Sequence, residues 1–321
     1  MPLFVLRRLL SFVLTLLATS VVVFAVLELL PGNAAQVILG ETATPESIAA
    51  MEDKLGLNQP AATRYLNWMG GMLQGQTGLS ISYDTPTAQL MAERMQVTLP
   101  LAVMAMGLTV ALALALGIYA ASQQNKVGDV GVMTLSQLGL ALPNFWLAIL
   151  LILLFAVHLE WVSAGGFPGW SEDDGGGVGE GIKALLLPAM ALAAVQTAIL
   201  TRVTRSAVLD TLREDFVRTA RAKGLSRRQV LWGHVLRNAM IPVLTVMGLQ
   251  FGNLITSAIV IENVFVLPGI GRLIFQAIAN RDLIVVRDVV MLLAALVILI
   301  NFLIDVLYAW IDPRLKAGHA E

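Results

Sequence analysis

Chemistry in a protein needs a nucleophile beside a base, paired carboxylates, or a cluster of metal ligands. This chain assembles none of these by spacing. Its histidines, His158, His234 and His319, stand far apart without partners at ligand spacing. Cysteine is absent, which removes thiolate metal sites, disulfides and cysteine nucleophiles together. Gly177-Val178-Gly179-Glu180-Gly181 imitates a phosphate loop, but no strand precedes it and no Lys-Ser/Thr follows. With Glu172, Asp173 and Asp174 it belongs to a flexible acidic loop over Gly165–Gly181. No catalytic, cofactor or metal site is predicted, and no lysine/arginine run suits nucleic acid.

Two other sets of residues have spacing that means something. The first is uncharged polarity inside apolar runs: Gln196, Thr197, Gln250, Asn253, Thr256, Ser257 and Asn301. Gln250, Asn253 and Ser257 recur at i, i+3 and i+7, hence on one helical face. They are candidates for the polar wall of a translocation path, and interhelical hydrogen bonding is the competing reading. Ionisable groups are nearly absent between helix ends, so no internal proton or ion relay is predicted. Glu28 and Asp305 read as interfacial.

The second set is basic and amphipathic, DFVRTARAKGLSRRQVLWGHVLRNAMIP over Asp215–Pro242. Phe216 and Ala220 lie one turn apart and share a face. Asp215 stands at the positive end of a helix dipole, Arg221 and Lys223 near the negative end. Gly224 follows where a left-handed cap suits glycine, and Ser226-Arg227-Arg228-Gln229 is a capping box that opens a second helix. The pattern predicts a short rigid knuckle outside the bilayer. A surface helix held by anionic lipid is the plainer reading.

The elements that carry these residues are membrane spans. A mean hydropathy of +0.77, with 57% hydrophobic and 13% charged residues, lies far outside the soluble range. Six runs reach the roughly 20 residues a bilayer demands: Leu9–Leu30, Leu99–Ala121, Met133–Val157, Leu185–Thr204, Ile241–Ile261 and Val289–Trp310. The first is too long for a signal peptide and lacks a small-x-small site, so it is expected to stay uncleaved. Arg7 and Arg8 hold the N-terminus in the cytoplasm, Arg314 and Lys316 follow the last run, and Tyr308 and Trp310 suit an interfacial anchor. With both ends inside, 14 of the 21 basic residues fall in inside segments, which supports that orientation and makes the knuckle cytoplasmic. The expected parts are a first span with a large external insertion (1–96), a five-helix core (97–311) with its loop at 205–240, and a cytoplasmic tail (312–321). Helical pieces are expected around Ser47–Leu55 and Ala62–Met72, and a tight external turn at Pro268-Gly269-Ile270-Gly271. Glu262 just before it is a candidate for an external gate or a docking contact.

Arg218-Thr219-Ala220-Arg221-Ala222-Lys223-Gly224 resembles the coupling-loop motif of ABC importer permeases, in the form found in the dipeptide/oligopeptide family. The general motif reads Glu-Ala-Ala-x-x-x-Gly. Here Arg218 stands for the acid, Thr219 for the first alanine, and the later proline comes only at Pro242. Pro31-Gly32-Asn33, Leu55-Gly56-Leu57, Arg64-Tyr65, Gly75–Ser80, Pro143-Asn144-Phe145-Trp146, Ile261–Phe265, Pro268–Leu273 and Asp312-Pro313-Arg314 extend the likeness along nearly the whole chain. It implies an all-α, six-span type I importer permease, paired with a second and different permease chain. Two ABC ATPases carrying ATP and magnesium would lie beneath, and a soluble binding protein would deliver substrate from outside. By the same resemblance Asp215, Phe216 and Arg218 through Gly224 couple to the ATPase, with Phe216 and Ala220 as the apolar contact. Glu262, Pro268, Gly269 and Gly271 are candidates for the external gate. Peptides are the implied cargo, with glutathione, nickel chelates or another small solute as alternatives. A stand-alone carrier or channel is the reading from a different class.

Overall fold

A computed structural model describes residues 2–29, 35, 39–40 and 43–311, with side chains over 6–29, 35, 39–40, 43–53 and 56–306. The motif pieces at Pro31-Gly32-Asn33 and Asp312-Pro313-Arg314, together with Tyr308, Trp310, Lys316 and His319, lie outside the described side chains. Among the described residues every long element is a helix. In chain order these are α1 Pro2–Leu29, α2 Pro45–Leu55, α3 Ala61–Leu73, α4 Thr87–Ser122, α5 Val127–Ala141, α6 Asn144–Leu151, α7 Val178–Thr211, α8 Asp215–Ala222, α9 Arg227–Val230, α10 Leu236–Val264, α11 Ile270–Ala279 and α12 Leu283–Ile311. Wider π-type turns continue α6 through Ile152–His158 and join α9 to α10 through Leu231–Val235.

Among the described residues five continuous helices are long and apolar enough to cross a membrane. The third expected span, Met133–Val157, is not one rod. Val127–Ala141 and Asn144–His158 meet at 102°. Leu142 and Pro143 are both extended (φ −91°, ψ 126° and φ −62°, ψ 137°), because a proline pushes its predecessor out of the helical region. Taken as one crossing, the pair brings the spans among the described residues to six. Arg8 Nη1 at the start of α1 lies 3.1 Å from Asp305 Oδ2 near the end of α12, a pairing that fits an even number of crossings. Several helices outrun the hydropathy signal. The 36 residues of α4 span about 54 Å, well beyond a hydrocarbon core of about 30 Å.

The described residues form two compact units. One holds Leu9–Val97 with Pro268–Leu299. In it Val23 and Phe24 of α1 pack on Trp68, Tyr65, Met69 and Met72 of α3 and on Met291 of α12. Tyr65 Oη and Ser20 Oγ are 2.8 Å apart, and Arg64 pairs with Glu28. Gly56 takes φ +67° to close α2, as a glycine can at a helix end. Two buried aspartates staple this unit across some 200 residues of sequence. Asp282 Oδ2 accepts from Ser80 Oγ (2.6 Å) and from the N–H groups of Ile81 and Ser82 (2.9 and 3.1 Å). Asp288 accepts from Trp68 Nε1 (2.8 Å) and Thr87 Oγ1 (2.5 Å), with Arg287 Nε 3.2 Å away.

The other unit holds 2–8, Thr98–Leu267 and 300–311. Here α7 is the central post, with α5, α6 and α10 packed on it. Small residues allow close approach. A Cβ on Gly117 of α4 would stand 2.6 Å from Thr204 Cβ and 2.9 Å from the Thr201 carbonyl oxygen of α7, and backbone cannot step aside as a side chain can. Gly117→Val is therefore expected to cost about 1–3 kcal/mol by overpacking. Thermal unfolding of the purified protein checks this, and an unchanged midpoint would show that the α4–α7 contact is looser than this geometry.

Candidate functional site: the knuckle after α7

α7 ends at Thr211, and after three residues α8 begins at Asp215. α8 closes as its residues dictate. The Leu225 N–H bonds the Ala220 carbonyl (3.3 Å) and the Gly224 N–H bonds the Arg221 carbonyl (3.0 Å), the paired closure of a Schellman cap. Gly224 sits at φ +86°, where a side chain is strained. The next helix opens on the predicted box. Gln229 N–H donates to Ser226 Oγ (3.4 Å), and Ser226 N–H donates to Gln229 Oε1 (2.9 Å). Helix, left-handed stop and second helix thus stand as the sequence predicts.

The face of α8 differs from expectation. Val217 and Ala220, three apart, turn into the chain's own core against Leu200, Val208, Leu209, Val230, Val235 and Ala113. Ala220 is 7% exposed, so it is not on an outward contact with Phe216, which is 39% exposed. The i, i+3 pair beats the i, i+4 pair because the neighbouring ends of α4, α7 and α10 supply an apolar cluster for it to join. Outward lie Phe216, Arg218, Thr219, Arg221, Ala222, Lys223 and Gly224. Asp215 and Arg218 come within 3.5 Å, at 95% and 79% side-chain exposure, so that pair adds little. What remains is one exposed aromatic ring in a basic rim on a stiff, core-anchored support. Ten residues before α8 begins, Arg205 of α7 donates from Nε and Nη2 to Oδ1 and Oδ2 of Asp129 at 2.5 and 2.6 Å.

The polar triad of α10 does not form one wetted wall. Gln250 is buried and its Nε2 donates to the Gln196 carbonyl (3.1 Å), while Ser257 is half-buried and Asn253 exposed. For Gln250 the interhelical reading wins. At the other end of α10, Glu262 is fully buried and accepts from Thr98 Oγ1 at 2.5 Å. An outer-surface contact for Glu262 is corrected accordingly, since its carboxylate faces α4 instead. The turn expected at Pro268–Gly271 sits earlier. Val266 holds φ +53° and Leu267 N–H bonds the Glu262 carbonyl (2.8 Å), while Gly269 caps α11, with Gly269 and Gly271 buried and Pro268 half-buried. His158 and His234 are exposed. Sequence reasoning missed Asp129, Asp282 and Asp288. The repeated Arg-Asp pairs at Arg281-Asp282 and Arg287-Asp288 were the available signal for the last two.

Residues 113–317 match the family described as the binding-protein-dependent transport system inner membrane component, and residues 1–112 match the N-terminal part of such membrane components. The chain belongs to this family. It is a multi-pass inner-membrane permease of the dipeptide/oligopeptide ABC importer group. A dipeptide transport system permease of Alkalihalophilus pseudofirmus is 38% identical over 98% of this chain and 99% of its own. A di/tripeptide permease of Pseudomonas aeruginosa is 38% identical (98% of both). A glutathione transport system permease of Salmonella choleraesuis is 40% identical (98% of both). Among solved structures, inward-facing crystal forms of the MetNI methionine ABC transporter share the fold at TM-scores of 0.57 and 0.58. At 16% identity they cover 70% of this chain and 97% of that one.

Proposed function

We propose that this permease moves short peptides across the bacterial inner membrane, with the 215–224 knuckle seated on a separate ABC ATPase. In this reading both termini and the knuckle are cytoplasmic, a second homologous permease completes the pathway, and an external binding protein delivers the cargo. The observation that supports it most is the full-length kinship with dipeptide and di/tripeptide permeases. The exposed Phe216 in its basic rim fits the coupling role. A bundle that must switch between two packed states needs a rigid lever at its edge, and the cargo must bind the two states unequally. The chain binds no cofactor of its own in this scheme, and ATP with magnesium belongs to the partners.

Glutathione is the second reading, favoured by the Salmonella relative. It differs from an ordinary tripeptide in its γ-linked first residue. Uptake of labelled dipeptide, tripeptide and glutathione into vesicles holding the permeases, ATPases and binding protein separates the two. ATP-dependent uptake of α-linked peptides that unlabelled glutathione does not inhibit is the expected result. Passage down a gradient with this chain alone would instead mark a carrier or channel.

A further inference from the structure

Asp129 is buried at the start of the bent third span, and its partner Arg205 stands ten residues before Asp215, where the knuckle helix begins. Three donors converge on it: the two guanidinium nitrogens of Arg205 and the Asn125 N–H at 2.9 Å. Asn125 takes φ +62°, and the turn is pressed further by Tyr119, whose Oη would lie 2.7 Å from a Cβ on Gly128. The turn between α4 and α5 is therefore tightly held. Arg205 in turn sits on the last turns of α7, one helical turn before Leu209, which packs in the same core as Val217 and Ala220 of α8. The planar fork of arginine fixes direction as well as distance.

We propose that Asp129 and Arg205 are positioning residues for transport: their ion pair makes the start of the bent span move with the knuckle. Apolar contacts tie α8 to α4, α7 and α10; α5 packs on α7, and among the described side-chain hydrogen bonds the forked pair is the one that fixes its start to that helix. A displacement of α7 and α8 then reaches the start of the span that bends by 102° at Leu142-Pro143 through a directional link added to the packing of α5 on α7. Without it, α5 keeps only its packing on α7 and can lag when α7 and α8 move. The inference rests on the coupling role proposed above.

The test uses the complete transporter with its ATPases and binding protein. In Asp129→Asn, assembly and ATP turnover are expected to stay within about twofold of the unsubstituted complex, while peptide uptake falls about tenfold or more, a loss of the size seen when a buried charged contact is cut. The double variant Asp129→Asn/Arg205→Gln leaves no unpaired charge and is expected to remain uncoupled to the same degree. Recovery of uptake in the double variant would overturn the proposal, because the single defect would then come from a stranded guanidinium. Unchanged uptake in Asp129→Asn, or parallel loss of assembly and hydrolysis, would overturn it as well. Failure of the coupling role itself would show separately, as uptake by the unsubstituted complex that ignores ATP.

Discussion

Ala220→Glu is expected to abolish ATP-driven uptake and to loosen the knuckle, whereas Phe216→Ala abolishes most uptake and leaves the knuckle intact. Ala220 is buried among Val208, Leu209, Val217 and Val230. A glutamate there overpacks the site and strands a carboxylate among apolar side chains, at roughly 3–5 kcal/mol. The spans are anchored elsewhere, so the protein still reaches the membrane, but trypsin should cut at Arg213, Arg218 or Arg221 in the exposed segment. Phe216 projects outward at 39% exposure and is not among the buried residues that pack with Val217 and Ala220. Losing a central aromatic from a docking surface typically costs about 2 kcal/mol or more, which lowers affinity for the ATPase by about thirtyfold. Co-purification with the ATPase, uptake and tryptic mapping together read both substitutions. Should Phe216→Ala bind its ATPase normally, the outward face of α8 is not the contact.

The contrast corrects what spacing alone implies. Phe216 and Ala220 do lie on adjacent turns, but which side of an amphipathic helix turns inward depends on what it meets. That information sits in α4, α7 and α10, not in α8. The legible parts were those governed by neighbours in sequence: the Ser226–Gln229 box, the Gly224 stop, the pieces beginning near Pro45 and Ala61. Each is decided by bonds within five residues. Apolar length located the spans, because a bilayer imposes it. Hydropathy stayed silent at Leu142-Pro143 because both halves of the bent span are equally apolar. It also misjudged Glu262, since a carboxylate near a helix end reads as interfacial until its Thr98 partner, 164 residues away, is seen.

The aspartate staples illustrate the same gap, and they carry a large expected effect. Asp288→Ala removes the acceptor from the Trp68 indole N–H and from the Thr87 hydroxyl, both inside the unit of Leu9–Val97 and Pro268–Leu299. It also leaves the Arg287 guanidinium, stacked 4.8 Å over the Trp68 ring, without its neighbouring carboxylate. Cutting one side of a buried charged contact costs about 3–5 kcal/mol, while each buried donor left unmet adds about 1–3 kcal/mol before relaxation. Asp288→Asn keeps one acceptor oxygen and should cost less. If these bonds hold the segment around Ser80–Thr87 against the start of α12, hydrogen exchange there should quicken by about 10²–10³-fold in Asp288→Ala. The rise should be smaller in Asp288→Asn, and exchange over Val208–Val217 should not change. Equal exchange in all three proteins would mean that apolar packing around Trp68 and Met291 fixes that segment by itself. Acceleration spread evenly over both units would mean that the aspartate holds the whole chain rather than the unit containing it.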